Sequence, residues 1–192
     1  MNSKKITNYI FELGTLKKFH HSGTKLAGVN EPDTIAEHVY RAALIAFIVA
    51  NMEKADPSKS AIICLLHDNA ETRITDLHKV ARRYIDSSKS EKKAFLDQTA
   101  NLPQETAAIF NQYFMEFENQ SSKEATIARD ADWLETAFQA KEYLDLGYKV
   151  CQEWIDNVGR CLKTRSAKKI FKQMKKNNFT DWWRHLTNIL EY

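Results

Sequence analysis

The stretch Cys64-Leu65-Leu66-His67-Asp68-Asn69-Ala70-Glu71 decides how this chain reads. It closes an apolar helical run beginning near Ile62 with an ionisable His-Asp pair. Such a pair is costly beside an apolar segment unless something binds it. Imidazole and carboxylate together are good ligands for a divalent metal. Working outward, His38 lies upstream in Ala36-Glu37-His38-Val39-Tyr40-Arg41, and Asp132 downstream in Ala128-Arg129-Asp130-Ala131-Asp132-Trp133-Leu134-Glu135. The order His, His-Asp, Asp, each on its own predicted helix, carries the functional signal.

The surrounding pattern is helical. Ile6, Ile10, Phe11 and Leu13 recur at helical spacing over residues 4–14, with Gly14 as a stop. Residues 15–32 read as an irregular, basic, Gly-containing segment. A strong helix follows, capped by Asp33 or Thr34, with Glu37 placed for a capping box and Ile35, Val39, Ala42, Ala43, Ala46 and Phe47 on one apolar face. Asp56-Pro57 opens the next helix, which runs through Ile62, Ile63, Leu65 and Leu66 into the His-Asp pair. Shorter helices are expected at 76–84 and 89–100. Pro103 opens another, with Phe110, Phe114 and Phe117 as a core or dimer stripe. A long helix at 121–147 is capped by Ser121 or Ser122 and stopped by Gly147. The stretch of about 165–190 gives one or two amphipathic helices. No two-residue alternation marks a strand, so the fold class is all-α.

Bulk properties agree. A chain of 192 residues is expected to form one domain over 1–192, with a core of about 10–150 and C-terminal helices of about 151–192 packing on it. With 43% hydrophobic and 28% charged residues it is not a disordered composition. Only 5 Gly and 3 Pro argue against a turn-rich β fold. A net charge of +3 does not by itself point to nucleic acid. The basic run from Lys163 to Lys176 shares its helix with Ile170, Phe171 and Met174, and reads as the solvated face of an amphipathic helix. Cys64, Cys151 and Cys161 are odd in number and widely spaced, as free thiols in a reducing compartment are. The longest apolar stretch, Ala42 to Ala50, is far short of the ~20 residues that cross a bilayer. A soluble, cytoplasmic protein is the expectation.

At 3.6 residues per turn, a continuous helix would set Cys64, His67, Asp68 and Glu71 on one side. His38 and Asp132 are natural suppliers of further ligands, with Asp130 a competitor for the last place. Two imidazoles and two carboxylates suit one Mn, Co, Ni, Fe or Zn ion and are too nitrogen-rich for Mg or Ca. Such a site suits phosphate-ester hydrolysis. Glu71 is placed to shuttle a proton, unless it pairs with Arg73. Asp76 is a second acid or a helix cap. Arg129, with Lys17, Lys18, His21 and Lys25 from the irregular segment, would neutralise phosphate. Cys64 reads as a small packed residue, His20, His78 and His185 as structural or exposed, and Trp182-Trp183 as a cover for the core or a subunit contact.

The set Glu37-His38, His67-Asp68-Asn69-Ala70-Glu71 and Ala131-Asp132-Trp133-Leu134-Glu135 resembles the HD-domain metal-dependent phosphohydrolases. It is most similar to their compact branch of 5′-deoxynucleotidases, over roughly residues 10–150. The resemblance implies a helical HD bundle, with His38, His67, Asp68 and Asp132 as ligands to one divalent transition metal. It also implies Glu71 as catalytic acid/base, Asp76 as second acidic residue, a nucleotide substrate and a homodimer. It favours Asp132 over Asp130. The segment Leu16-Lys17-Lys18 to Gly28-Val29 resembles that branch's substrate loop, with one departure. Thr24, fourteen residues before His38, stands where the branch usually has Trp, and no Arg accompanies it. The alternatives are an HD hydrolase of a deoxynucleoside triphosphate or guanosine alarmone, and a non-catalytic, metal-containing helical module.

Overall fold

The computed structural model describes residues 3–184 and 186. The ten α-helices among them are α1 (Ser3–Leu13), α2 (Ser22–Leu26), α3 (Ile35–Glu53), α4 (Pro57–Leu66), α5 (Glu71–Ile74), α6 (Ser87–Thr99), α7 (Gln104–Asn119), α8 (Lys123–Asp145), α9 (Gln152–Cys161) and α10 (Arg165–Met174). No β-strand occurs among the described residues. The all-α expectation holds.

The long helices start where their side chains satisfy the first free N–H groups. At α3, Thr34 Oγ1 accepts from Glu37 N at 3.3 Å and Glu37 Oε2 accepts from Thr34 N at 2.7 Å, closing the capping box. Asp56 accepts from Lys59 N at 3.0 Å ahead of Pro57. Ser122 accepts from Ala125 N at 3.1 Å to open α8, and Gly147 takes the left-handed turn beyond its end (φ +106°).

The scaffold is a packing of α3 on α4 and α8, with α7 against α4 and α9 against α8. Small residues make the close approach possible. Ala42 and Ala46 of α3 and Ala128 and Ala131 of α8 are fully buried together with Ile63 and Cys64 of α4. Helix axes close to the shorter end of the usual 8–10 Å range where contact side chains are small. Larger side chains fill the flanks. Phe95 stacks on Phe114 at 4.2 Å between α6 and α7, and Leu134, Ile155 and Val158 join α8 to α9. Fully burying one such side chain contributes about 1.5–3 kcal/mol.

Helix α3 is the one described helix long and apolar enough to cross a bilayer by length and composition. One side of it is committed to the bundle through Ile35, His38, Val39, Ala42, Ala46 and Val49. Phe47, placed with that face in the sequence reading, instead points outward with Tyr40, Leu44 and Ile48. Ile62 and Leu65 of α4 are likewise exposed.

Several boundaries differ from expectation. The irregular segment 15–32 contains a 3-10 turn (Gly14–Lys17) and the short α2. The helix expected at 76–84 shrinks to one 3-10 turn at Ala81–Arg83. The C-terminal helices include α9, which no local pattern had separated, and α10 ends at Met174. Trp182 is exposed rather than covering the core. His185 and the far end of the expected 165–190 helix lie outside the described residues. The cysteines are free thiols, and Cys64 packs with Sγ 3.8 Å from the Ala128 carbonyl.

Candidate metal centre

The helix carrying the His-Asp pair stops earlier than its pattern suggests. Helix α4 ends at Leu66, His67 is its C-cap, and residues 67–70 turn before α5 begins at Glu71. Glu71 is therefore not on the helix of His67, which corrects the single-helix geometry. The turn is what lets His67 and its neighbour Asp68 aim at one point: His67 Nε2 lies 3.1 Å from Asp68 Oδ2.

From α3, His38 Nε2 reaches to 3.4 Å from Asp132 Oδ1 and 3.7 Å from Asp68 Oδ2. His67 Nε2 is 3.7 Å from the same Asp132 oxygen. Ligand atoms of His38, His67 and Asp132 all lie within 4.8 Å of one another, a group that could hold a metal ion. Asp130, the sequence competitor, points elsewhere. It is buried and accepts from the backbone of Lys163 at 2.9 Å and Thr164 at 2.6 Å, fixing the chain entering α10.

Both imidazoles are set for ligation by what holds their other nitrogen. His38 Nδ1 donates to Glu135 Oε2, and His67 Nδ1 donates to the Cys64 carbonyl at 2.5 Å. These acceptors can only accept, so Nδ1 carries the hydrogen and Nε2 is the nitrogen turned to the cluster. Glu135 is itself clamped by Arg41, whose Nε donates to Oε1 at 2.8 Å while its other nitrogens hold Glu142 and Gln139. The donor set thus fits a divalent transition metal: two oriented imidazoles, two acidic side chains and a buried supporting layer.

Without a cation the carboxylates of the cluster favour the protonated imidazoles. Burial pushes His38 down, but the carboxylates of Glu135 and Asp132 outweigh it and raise the imidazole well above its usual value. His67 is likewise raised against burial by Asp68 and Asp132. Asp132 is held well below the carboxylate range, burial being overcome by the two histidines.

The cluster lies in the wall of a cavity of about 600 Å³. Glu71 lines it, buried, with Oε2 lacking a hydrogen-bond partner among the described residues. Burial, then Asp68 and Asp76, push its carboxyl well above the usual range. Arg73, its suspected partner, pairs with Glu12 instead; the nearest cation to Glu71 is Arg82 at 3.9 Å. Asp76 also lines the cavity and acts as a cap from a distance, its Oδ2 accepting from Ser22 N at 2.7 Å and Ser22 Oγ at 3.0 Å to anchor α2.

The predicted phosphate contacts divide. Arg129 lines the cavity, its Nη1 3.5 Å from Asp132 and its guanidinium 3.8 Å from the centre of the Phe117 ring. His21 lines it too, fixed by Nδ1 donating to Asp33 at 2.7 Å, with its ring 4.7 Å from that of His38. Lys17, Lys18 and Lys25 are exposed and do not line the cavity; Lys25 Nζ bonds the Asn30 carbonyl at 3.0 Å. The wall instead carries Lys79 and Arg82, two cations that the sequence reading passed over. His78, read as structural or exposed, both lines the cavity and accepts from Ala81 N at 3.1 Å. Thr24 is buried in the wall, and Trp133 and Trp154 border the same space.

Comparison with known proteins agrees with this geometry. The HD domain family model matches residues 13–175. The human 5′-deoxynucleotidase HDDC2 is 25% identical over 150 residues, covering 77% of this chain and 72% of the relative. The Schizosaccharomyces pombe (strain 972 / ATCC 24843) 5′-deoxynucleotidase hdd1 is 27% identical over 152 residues, covering 74% and 76%. Among solved structures, the PH0347 protein from Pyrococcus horikoshii OT3 superposes with a TM-score of 0.76 at 28% identity, covering 88% of this chain and 98% of its own. A Magnetospirillum magnetotacticum MS-1 protein described as a predicted metal-dependent phosphohydrolase shares the fold, with a TM-score of 0.69 at 19% identity over 90% of this chain and 93% of its own. With its matched motif residues gathered around one buried cluster, the chain belongs to the HD domain family and is a metal-dependent phosphohydrolase.

Proposed function

We propose that this enzyme is a 5′-deoxynucleotidase: a single HD domain that hydrolyses deoxynucleoside 5′-monophosphates to nucleoside and inorganic phosphate. One divalent transition metal per chain, from among Mn, Co, Ni, Fe and Zn, would be held by His38, His67, Asp68 and Asp132. The observation that carries the reading is the pairing of this N/O cluster with a cavity of about 600 Å³, the size range of small-molecule sites. The relatives named above as 5′-deoxynucleotidases support the substrate class.

A metal bound here supplies Lewis acidity toward a phosphoryl oxygen and makes a water more acidic. The chain's own groups do the rest. Arg129, Arg82 and Lys79 offset the charge of the phosphate, with His21 beside them. Hydrolysis breaks the bond between phosphorus and the 5′-oxygen while the oxygen of water forms the new P–O bond, one water proton staying on the phosphate and the other replacing the proton that Glu71 gives up. Glu71, buried and disposed to keep a proton, hands that proton to the departing 5′-oxygen. Asp76 has Oδ2 engaged by Ser22, which leaves Oδ1 as the oxygen available to a sugar hydroxyl.

The protein is proposed to be soluble, cytoplasmic and homodimeric, with no role for nucleic acid. Tyr40, Leu44, Phe47 and Ile48 on the outer side of α3, beside Ile62 and Leu65 of α4, form an exposed apolar face suited to a second copy. Light scattering should find a dimer in the wild type and a monomer in Phe47→Glu.

The test of function is phosphate release from deoxy- and ribonucleoside 5′-monophosphates by metal-stripped protein given Mn, Co, Mg or Zn. Release that requires a transition metal and favours the deoxy substrates supports the proposal. Turnover only of triphosphates or alarmones replaces it with another HD activity.

A further inference from the structure

One wall of the cavity that holds the metal cluster is built by helix α9, which contributes none of the groups assigned to ligation or proton transfer. Helix α9 contributes Glu153, Trp154, Asn157 and Val158, four positions that fall on one side of a helix. Val158 is buried and ties the helix to α8, so the wall is anchored in the core. Trp154 is the large flat group on it. Beside it stands α2, where Gly23 has no side chain and Thr24 is buried in the wall. A Cβ at Gly23 would lie 3.8 Å from Trp154 Cζ2 and 3.9 Å from Nε1, so α2 passes beside the indole and no side chain at position 23 stands on it. Thr24 is turned inward, its Oγ1 donating to the His21 carbonyl at 3.1 Å.

We infer that Trp154 is the specificity-determining residue that receives the nucleobase, while the phosphate sits at the metal cluster. This rests on the nucleotidase reading and deepens it. Three features of the structure carry it. The cavity connects the cluster to Trp154 in one space. The small residues at 23 and 24 leave the indole accessible beside that space. The helix holding Trp154 is packed on α8, the helix that carries Asp132, so the distance between the two ends is set by the core. Stacking on an aromatic face tolerates every base, since each has a π-face, and is worth ~1–3 kcal/mol. The enzyme would therefore discriminate for a base over none, and for purines over pyrimidines by stacking area, without reading a base edge.

The experiment compares the metal-loaded protein on deoxyadenosine 5′-monophosphate and on 2-deoxyribose 5-phosphate, which keeps the sugar and phosphate and lacks the base. Trp154→Leu keeps an apolar side chain and removes the flat surface; Trp154→Phe keeps a flat surface. In Trp154→Leu, KM for the nucleotide should rise about tenfold, with kcat and the kinetics on deoxyribose phosphate changed less than twofold. A tenfold change corresponds to ~1.4 kcal/mol, within the stacking range. Trp154→Phe should restore most of the loss. Equal losses on both substrates in Trp154→Leu would assign Trp154 a structural role and overturn the inference alone. No change on either would do the same. A wild type that hydrolyses neither substrate overturns the nucleotidase reading, and the inference with it.

Discussion

The two ends of the cavity are made differently. At the metal end the two imidazoles are held from behind: His38 by Glu135, Glu135 in turn by Arg41, and His67 by the Cys64 carbonyl. At the outer end the walls come from a five-residue helix, the segment around the Ala81–Arg83 turn and one face of α9, with Leu26 and Val80 exposed. The first construction fixes atoms to within a few tenths of an ångström, as ligation and proton transfer require. The second fixes a shape, which is enough for stacking and for screening phosphate charge. On the proposed function, chemistry is built on core helices, and substrate choice on elements that can vary without unfolding the protein.

If that division is right, the largest losses come from the cluster. Asp132→Ala should remove metal and phosphate release together, by on the order of 10³-fold or more, since Lewis-acid stabilisation is worth several kcal/mol. Glu71→Gln should lose about 10²–10⁴-fold in turnover and keep its metal, because it removes the proton donor and not a ligand. Elemental analysis beside kinetics separates the two. Bound metal lost in Glu71→Gln would show that the ligand set has been drawn too small.

One step out, the expected effect is smaller. Glu135→Gln keeps the shape of the contact with His38 but weakens its hold on the imidazole and its ion pair with Arg41. Metal affinity should fall about 10–100-fold, and activity should return when metal is added in excess. Activity that stays low at saturating metal would mean Glu135 acts on the substrate directly.

Legibility in the sequence follows the same line. The caps at Thr34, Asp56 and Ser122 were readable because each depends on residues a few positions apart, and the convergence of His38, His67 and Asp132 because their order along the chain is fixed. Position 71 was identified, yet its helix was not: an apolar run tells where α4 begins to be buried, and nothing local marks that the backbone turns at 67–70. Glu135 stood in a quoted motif without a role, because its partner is 97 residues away. The nearest sequence clue was its spacing, three residues after Asp132 and so on the same side of α8. Lys79, Arg82 and Trp154 reach the cavity only through tertiary packing. The lysines at 17, 18 and 25 fall outside the cavity wall although composition suggests a phosphate loop, because charge alone does not say which way a side chain points.

The proton content of the metal end adds a test by pH. His38 and His67 are raised above their usual value in the folded, metal-free protein. Their contribution to stability is therefore complete below the unfolded value of about 6.5 and is lost as pH rises through the folded values. A bound cation replaces those protons and is itself favoured as they leave. The melting temperature of loaded protein minus that of stripped protein should widen from pH 6 to pH 9. A gap that narrows over this range would mean that the metal is not displacing protons from these imidazoles.

The smallest effect is the sharpest test of the division. Lys17→Ala and Lys18→Ala remove exposed charges that lie outside the cavity wall, and kcat/KM should move less than about twofold, as a screened surface charge allows. Arg82→Ala, by contrast, removes a wall cation that sits 3.1 Å from Glu91 and 3.9 Å from Glu71. Its loss should raise KM for the nucleotide several-fold and raise it equally for deoxyribose 5-phosphate, because the phosphate is common to both. A base-dependent effect at Arg82, or a large effect at Lys17, would break the assignment of phosphate to the inner wall. It would place the irregular segment, and not the turn at Ala81–Arg83, against the substrate's charge.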